Sequence, residues 1–424
     1  MGWGRTAMHA AGSRTVAALV LLLLGILLLP TIRAESAVTI DFLTALEETD
    51  IGIEALAFDD VDSILVVGAD GYIAWIDSTT PTNNQRLESN LSETLRSIAF
   101  HSGGNALIGG DSGILLRYVA SNKTVEPAGG TTMVEVTSLR AIAWNKASSW
   151  AYIGGEGGWI WRYQAGENGS SEMHLLNNLR TSDIIAISCH AETPLCAIAT
   201  KSDGIGIIDR NHNISWVGAS GTAWTDVACT AKIIPRCVAI GEGRQLALIS
   251  LQESAPEASD IGMNRYTEVA GEFRKVCRQD EERIMVATTP FSLMEYDLYQ
   301  DSLYPWLNQS DAVTAGPVVA GSSIVCTWGE DEDTGFILTS RGDIVHFHPP
   351  AADGGITTSL VYIAVSVVVI ICVPGVILGL IYMNSETMQK AYLQRRNKKR
   401  EKRREEYEEA NQDSGPASRR TSTK

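Results

Sequence analysis

Residues 95–119 read LRSIAFHSGGNALIGGDSGILLRYV, and residues 139–163 read LRAIAWNKASSWAYIGGEGGWIWRY. Each stretch is three short apolar runs. The first run ends in an aromatic residue, Phe100 or Trp144, and a polar turn follows. The second ends in a Gly pair, and a turn of DSG or EGG leads into the third. Runs this short suit strands rather than helices. Their nearly continuous apolar character fits strands buried on both faces, not the alternation of a half-exposed sheet.

The same phrase recurs seven times between residues 52 and 345. The landmark that ends the first run falls at Phe58, Phe100, Trp144, Cys189, Cys229, Cys277 and Cys326, in steps of 42, 44, 45, 40, 48 and 49 residues. A repeat of this length built from short strands is the signature of a propeller blade. Gly71, Gly113, Gly158, Gly204, Gly243 and Gly342 occupy the second turn and supply the positive φ that tight hairpins require. The sixth repeat has Pro290-Phe291-Ser292 there, so its turn differs. A variable stretch after each third run holds a fourth, outer strand. The seventh repeat meets Pro349-Pro350 with no room for one, while residues 37–46 (AVTIDFLTAL) form a spare run ahead of the first repeat. Val38–Leu43 is therefore expected to complete blade seven, which closes the ring and removes exposed sheet edges. The fold class is all-β: a seven-bladed β-propeller over residues 37–350, closed by an N-terminal strand, plus one C-terminal transmembrane helix.

The rhythm, with third-strand endings such as Trp75-Ile76-Asp77, Ile208-Asp209 and Tyr296-Asp297, resembles WD-repeat and YVTN-type β-propellers over residues 37 to about 350. No repeat has the Gly-His opening or the Trp-Asp dipeptide of true WD repeats, so their hydrogen-bonded tetrad is not implied. Propellers host many unrelated functions, and the resemblance fixes architecture alone.

Both ends lie outside the repeat. Arg5 and Arg14 precede an uncharged run rich in Val, Leu and Ile, and Ile32-Arg33-Ala34 ends a small-residue site. Residues 1–34 are expected to be a signal peptide, with an uncleaved signal anchor as the alternative. Residues 351–358 form a Gly-bearing linker. Residues 360–382 carry no charge over 23 positions, enough to cross a bilayer. Nine Lys and Arg lie between Lys390 and Arg404, which marks the cytoplasmic side. The expected topology is single-pass type I in the cell membrane, with the propeller outside and the basic tail, 383–424, inside. The tail reads as a solvated helix followed by a disordered end, and its cations attract anionic lipid.

Charge divides along the same line. The segment between leader and span holds 19 Lys plus Arg against 43 Asp plus Glu, near −24; the tail holds 12 against 7, near +5. So acidic an outer domain repels nucleic acid. It suits a saline exterior, bound cations or a basic partner.

Of seven cysteines, Cys372 lies in the span and six lie outside it, as an oxidising compartment allows. Cys189 with Cys196, and Cys229 with Cys237, flank equivalent first turns and so face each other in hairpins; both pairs are expected to be disulfides. Cys277 and Cys326 are left as a third, inter-blade bridge or as two buried thiols, because spacing does not fix connectivity.

Other candidate sites are weaker. Sequons at Asn90, Asn122, Asn168, Asn213 and Asn308 are candidate glycosylation sites on loops. Gly329–Gly335 packs four carboxylates into one turn, and Asp331 and Asp333 are candidate Ca²⁺ ligands, against the simpler reading of a solvated acidic turn. Asp59, Asp60 and Asp62 stand the same way. Arg341-Gly342-Asp343 spells an adhesion tripeptide but fills the Gly turn. His346 and His348 alternate on the last strand with no third ligand in view. No catalytic motif is present. No cofactor is implied beyond that Ca²⁺. The leading expectation is a membrane-anchored platform for a protein or glycan partner. The alternatives are a propeller enzyme acting on extracellular polysaccharide, which needs titratable side chains converging on one channel mouth, and a short-tailed receptor.

Overall fold

The computed structural model describes residues 36–59, 62–129, 134–165, 171–231, 234–279, 283–331, 333–350 and 385–412. The expected leader (1–34), linker (351–358), membrane span (360–382) and disordered end lie outside them. Among the described residues, no helix is long and apolar enough to cross a membrane.

Seven four-stranded antiparallel sheets follow one another along the chain. Their inner strands are Ile53–Phe58, Leu95–Phe100, Leu139–Trp144, Ile184–Cys189, Trp224–Cys229, Glu272–Arg278 and Ile324–Asp331. In six sheets the order in space is the order in sequence. In the seventh, Thr39–Ala45 is the outer strand, antiparallel to Asp343–His348 with Thr39 opposite His348 and Ala45 opposite Asp343. The ring therefore closes as expected, one or two residues later than Val38–Leu43. Val38 itself is buried in the seam between blades six and seven.

The core is divided into seven apolar clusters, one in each seam between adjacent blades. Burying one large aliphatic side chain contributes roughly 1.5–3 kcal/mol, so each seam is a substantial part of stability. Close approach there dictates residue type. A Cβ on Gly154 would lie 2.4 Å from Ile184 Cγ2 in the next blade, so no other residue lets that seam close unshifted. All six expected turn glycines have positive φ. At Gly113 the constraint is double: φ is +73°, and a Cβ would stand 2.0 Å from the Glu135 carbonyl oxygen.

The second-strand residue paired just ahead of each bulge is one of two types. Blades one, two, three and five place Gly68, Gly110, Gly155 and Gly241 there; blades four, six and seven place Thr200, Thr288 and Thr339. The threonines are fully buried and use their hydroxyls on the turn that follows. Thr200 donates to the Gly204 carbonyl at 2.8 Å, and Thr339 accepts from Asp343 N at 3.0 Å. In blade six the turn does differ, as the Pro-Phe sequence required. Thr289-Pro290 is cis and Phe291 is buried.

Two short helices, Gln309–Ala315 and Pro317–Gly321, fill the longest inter-landmark step. Ala312, Val319 and Ala320 anchor them in the seam between blades six and seven. Residues up to Pro350 and from Ala351 form separate units. In the second, Glu386–Gln412 is a helix in which none of the described side chains is buried, carrying the i,i+4 pairs Glu386–Lys390 and Arg404–Glu408.

Candidate functional site

The inner strands line a central channel of about 420 Å³. Every one of them breaks register at the same place. The skipped residues are Glu54, Arg96, Arg140, Ile185, Thr225, Arg274 and Val325. A bulge re-aims the side chain of its extra residue. Repeated sevenfold near the start of each inner strand, it sets these residues around one mouth of the channel, called here the upper mouth. The turns between second and third strands and the links between blades share this upper face.

Three of the seven bulge residues are arginines, in a domain that is otherwise strongly acidic. They are partly engaged. Arg96 grips Asp111 with two bonds of 2.6 and 2.7 Å and lies 3.7 Å from Glu54 of blade one. Hydrogen bonding to Arg96 holds the Asp111 carboxyl below its ordinary value. Arg140 donates from Nη2 to Glu156, while its Nε is buried without a partner. Arg274 is exposed. Below the mouth the wall is mostly Ala, Ile and Ser. Its charged residues are Asp226 and Lys275, on adjacent inner strands, and Arg278. Asp226 accepts the backbone N–H of Val227 at 2.9 Å and of Val276, in the next blade, at 3.1 Å. Desolvation pushes its carboxyl above the usual range, and Lys275 opposes that shift.

An apolar groove of about 320 Å³ opens on the same face, on blade three. Trp159 and Gly157-Gly158 form one side; Leu175, Leu179 and Arg180 form the other. Leu179 is 89% exposed and Trp159 47%. Val136, 81% exposed, emerges on this face from the link between blades two and three. Asn178 Nδ2 donates to the Gly158 carbonyl at 2.6 Å and ties the two sides together. Exposed Leu and Trp set in one groove carry a hydration cost that a partner would remove.

The two expected disulfides, Cys189–Cys196 and Cys229–Cys237, are present, and the pair left open, Cys277 and Cys326, is bridged as well. The first two join directly opposed residues of a hairpin. Counted from the bulge, Cys189 and Cys229 share the position of Phe58, but Cys277 falls one residue short and Cys326 three. The landmarks are thus not all equivalent, and the last two cysteines link neighbouring inner strands along the channel wall. The aromatic landmarks reach back toward the preceding blade. Trp144 Nε1 donates to the Ala99 carbonyl at 3.2 Å, and Phe58 meets Trp328 at 6.4 Å between centroids.

Asn90, Asn122 and Asn213 are exposed. Asn308 is half-buried, follows the fourth strand of blade six, and takes the Ser36 hydroxyl oxygen on its N–H at 2.7 Å. Asn168 lies outside the described residues. Asp331 and Asp333 sit at the tip of the first hairpin of blade seven. No group of three or more metal-ligating side chains stands together among the described residues. In the Arg341-Gly342-Asp343 turn, Asp343 is buried, its N–H bonded to Thr339 and its carboxylate 3.5 Å from Arg341. His348 places Nε2 2.9 Å from Asp41 of the closing strand and donates from Nδ1 to the Pro349 carbonyl. The bulge ring and the groove went unread in the sequence, although the polar second residue of LRSIAF and LRAIAW was a signal for the first.

No family model matches the chain, and no curated protein is similar to it. Solved structures are. A structure of YCF48 bound to D1 peptide superposes with a TM-score of 0.53 at 13% identity, covering 74% of this chain and 98% of its own. The Cps50 (Swd1) β-propeller domain of Myceliophteria thermophila gives 0.57 at 11%, covering 73% and 99%. YCF48 from Cyanidioschyzon merolae gives 0.54 at 13%, covering 73% and 99%. At these identities the likeness establishes the propeller fold.

Proposed function

We propose that this protein is a membrane-anchored docking platform whose propeller holds a segment of a partner protein on its upper face. One observation carries the reading: cationic bulge residues and an exposed apolar groove share a single face. A segment with apolar side chains beside carboxylates complements both. Exposed Leu179 and Trp159 supply desolvation energy, and Arg140 and Arg274 supply steering and register. That one neighbour in fold is described as bound to a peptide is consistent with this. The leader, the 360–382 span and the basic stretch from Lys390 support an outer propeller and an inner tail. Asn90, Asn122 and Asn213 would carry any glycans.

The test is selection of peptides from a random display library on the full-length protein. Expected winners combine acidic and large apolar residues, and Leu179→Asp or Arg140→Glu abolishes their retention without changing the melting temperature. Peptides retained equally by both variants would overturn the reading. Topology is checked by protease protection of the tail in sealed membranes; a tail cleaved from outside would refute it.

The enzyme alternative is favoured by the convergence of Glu54, Arg96, Arg140, Asp226 and Lys275 on one channel. Against it, both carboxylate oxygens of Asp226 are engaged by backbone N–H groups. Hydrolysis of polysaccharide lost specifically in Asp226→Asn would reverse the choice.

A further inference from the structure

The opposite, lower face holds a second site with different chemistry. Where blades one and seven meet, a cavity of about 480 Å³ opens. Its wall is a run of rings: Phe58 to Trp328 at 6.4 Å, Trp328 to Phe336 at 5.5 Å, and Phe336 to His346 at 5.3 Å between centroids. Trp328 Nε1 donates to the Ser78 carbonyl at 2.9 Å, so the wall is fixed across the ring-closing seam. Phe58 is 37% exposed and offers its ring to the cavity.

Carboxylates line the same space. Asp59 and Asp62 come from the first turn of blade one, and Asp331 from the first hairpin of blade seven. They are some 270 residues apart in sequence and meet only because the ring closes. A third element adds Gln279 from blade six, whose Oε1 and Nε2 are both buried without a hydrogen-bond partner. Arg278 also lines the cavity, but against three carboxylates.

The pattern selects its ligand. Aromatic faces attract a cation through their quadrupole, and surrounding carboxylates add long-range attraction. Among the described residues, these three carboxylates do not form a metal-ligating group. A compact divalent ion needs converging oxygens; a bulky, weakly hydrated organic cation does not. Burial and the neighbouring His348 lower the His346 pKa, which favours the neutral ring beside a cation.

We propose that this cavity binds an alkylammonium group, seated against Phe58 and Phe336 and held by Asp59, Asp62 and Asp331. Its residues are separate from those of the upper face, so either site stands if the other fails. Two sources share the chemistry: a free quaternary ammonium solute, and a lysine side chain of a partner.

The test is calorimetric titration of the full-length protein with three probes: choline, its neutral carbon isostere dimethylbutanol, and N-acetyl-lysine methylamide. At least one cationic probe is expected to bind saturably at millimolar concentration or below, about tenfold more tightly than the isostere. Preference for choline assigns a free solute, and preference for the lysine derivative assigns a partner's side chain. Phe58→Leu and Asp331→Asn should each weaken binding about threefold or more. Both alter exposed positions, and a melting curve confirms the fold of each; should Phe58→Leu not fold, Asp331→Asn carries the test alone. Binding of the isostere as tight as that of the better cationic probe, no saturable heat from any probe, or variants that fold and bind like the parent would overturn the proposal.

Discussion

Removing the Cys277–Cys326 bridge should cost more stability than removing either hairpin bridge, although all three are single covalent bonds in one domain. A crosslink stabilises mainly by restricting the unfolded chain, and the restriction grows with the loop it closes. Cys277 and Cys326 are separated by 49 residues, whereas the hairpin pairs are separated by 7 and 8. The chain-entropy relation gives about 4 kcal/mol for the long loop and about 2.4 kcal/mol for each short one. The difference is worth roughly a twentyfold change in the folded-to-unfolded ratio. Packing pushes the same way, because the long bridge ties blades six and seven together while each hairpin pair joins strands already laddered by backbone hydrogen bonds. The assay is urea unfolding of Cys277→Ala/Cys326→Ala beside Cys189→Ala/Cys196→Ala and Cys229→Ala/Cys237→Ala, following tryptophan fluorescence. The midpoint should fall furthest in the first, and its m-value should rise as the unlinked denatured chain exposes more surface. An equal or larger loss in either hairpin variant, with m unchanged throughout, would refute the reasoning.

Three further outcomes follow from the seams and from the closing strand. Gly154→Ala should cost about 1–3 kcal/mol by overpacking, because the new methyl meets Ile184 Cγ2; a melting temperature equal to the parent's would show that the seam yields freely. Trp328→Phe leaves the Ser78 carbonyl without its donor at the closing seam and should cost about 1–3 kcal/mol in denaturant unfolding, against little change for the exposed Trp159→Phe. His348 is raised by its bond to Asp41. A folded pKa above the unfolded one stabilises fully below the ordinary histidine value, and the gain fades as pH rises through the folded value. Asp41→Asn should therefore cost stability at mildly acidic pH and nothing at alkaline pH, by no more than about 1 kcal/mol because the pair is exposed and screened; a pH-independent difference would show that charge plays no part.

The sequence by itself determined everything that depends on neighbours along the chain. Strand length, turn chemistry and a spacing near 45 residues specify a blade, and seven of them specify the ring. Pro349-Pro350 leaves blade seven short, and the run at 37–46 supplies what it lacks. Cys189 with Cys196 and Cys229 with Cys237 were legible because a hairpin brings residues beside one turn together whatever the rest of the chain does. Glycines such as Gly113 were legible because the turn demands their φ locally. The tertiary structure decided the rest. Cys277 and Cys326 looked equivalent to the other landmarks, yet the register set by the bulges places them at different heights, where they meet across a seam. Glu54, Arg96, Arg140 and Arg274 read as ordinary polar strand residues until seven bulges turned them toward one mouth. Asp59, Asp62 and Asp331 read as two unrelated acidic turns, and closure of the ring made them walls of one cavity. Local propensity builds each blade, but a site assembled from several blades exists only after long-range pairing fixes their order, and no single stretch of sequence carries that geometry.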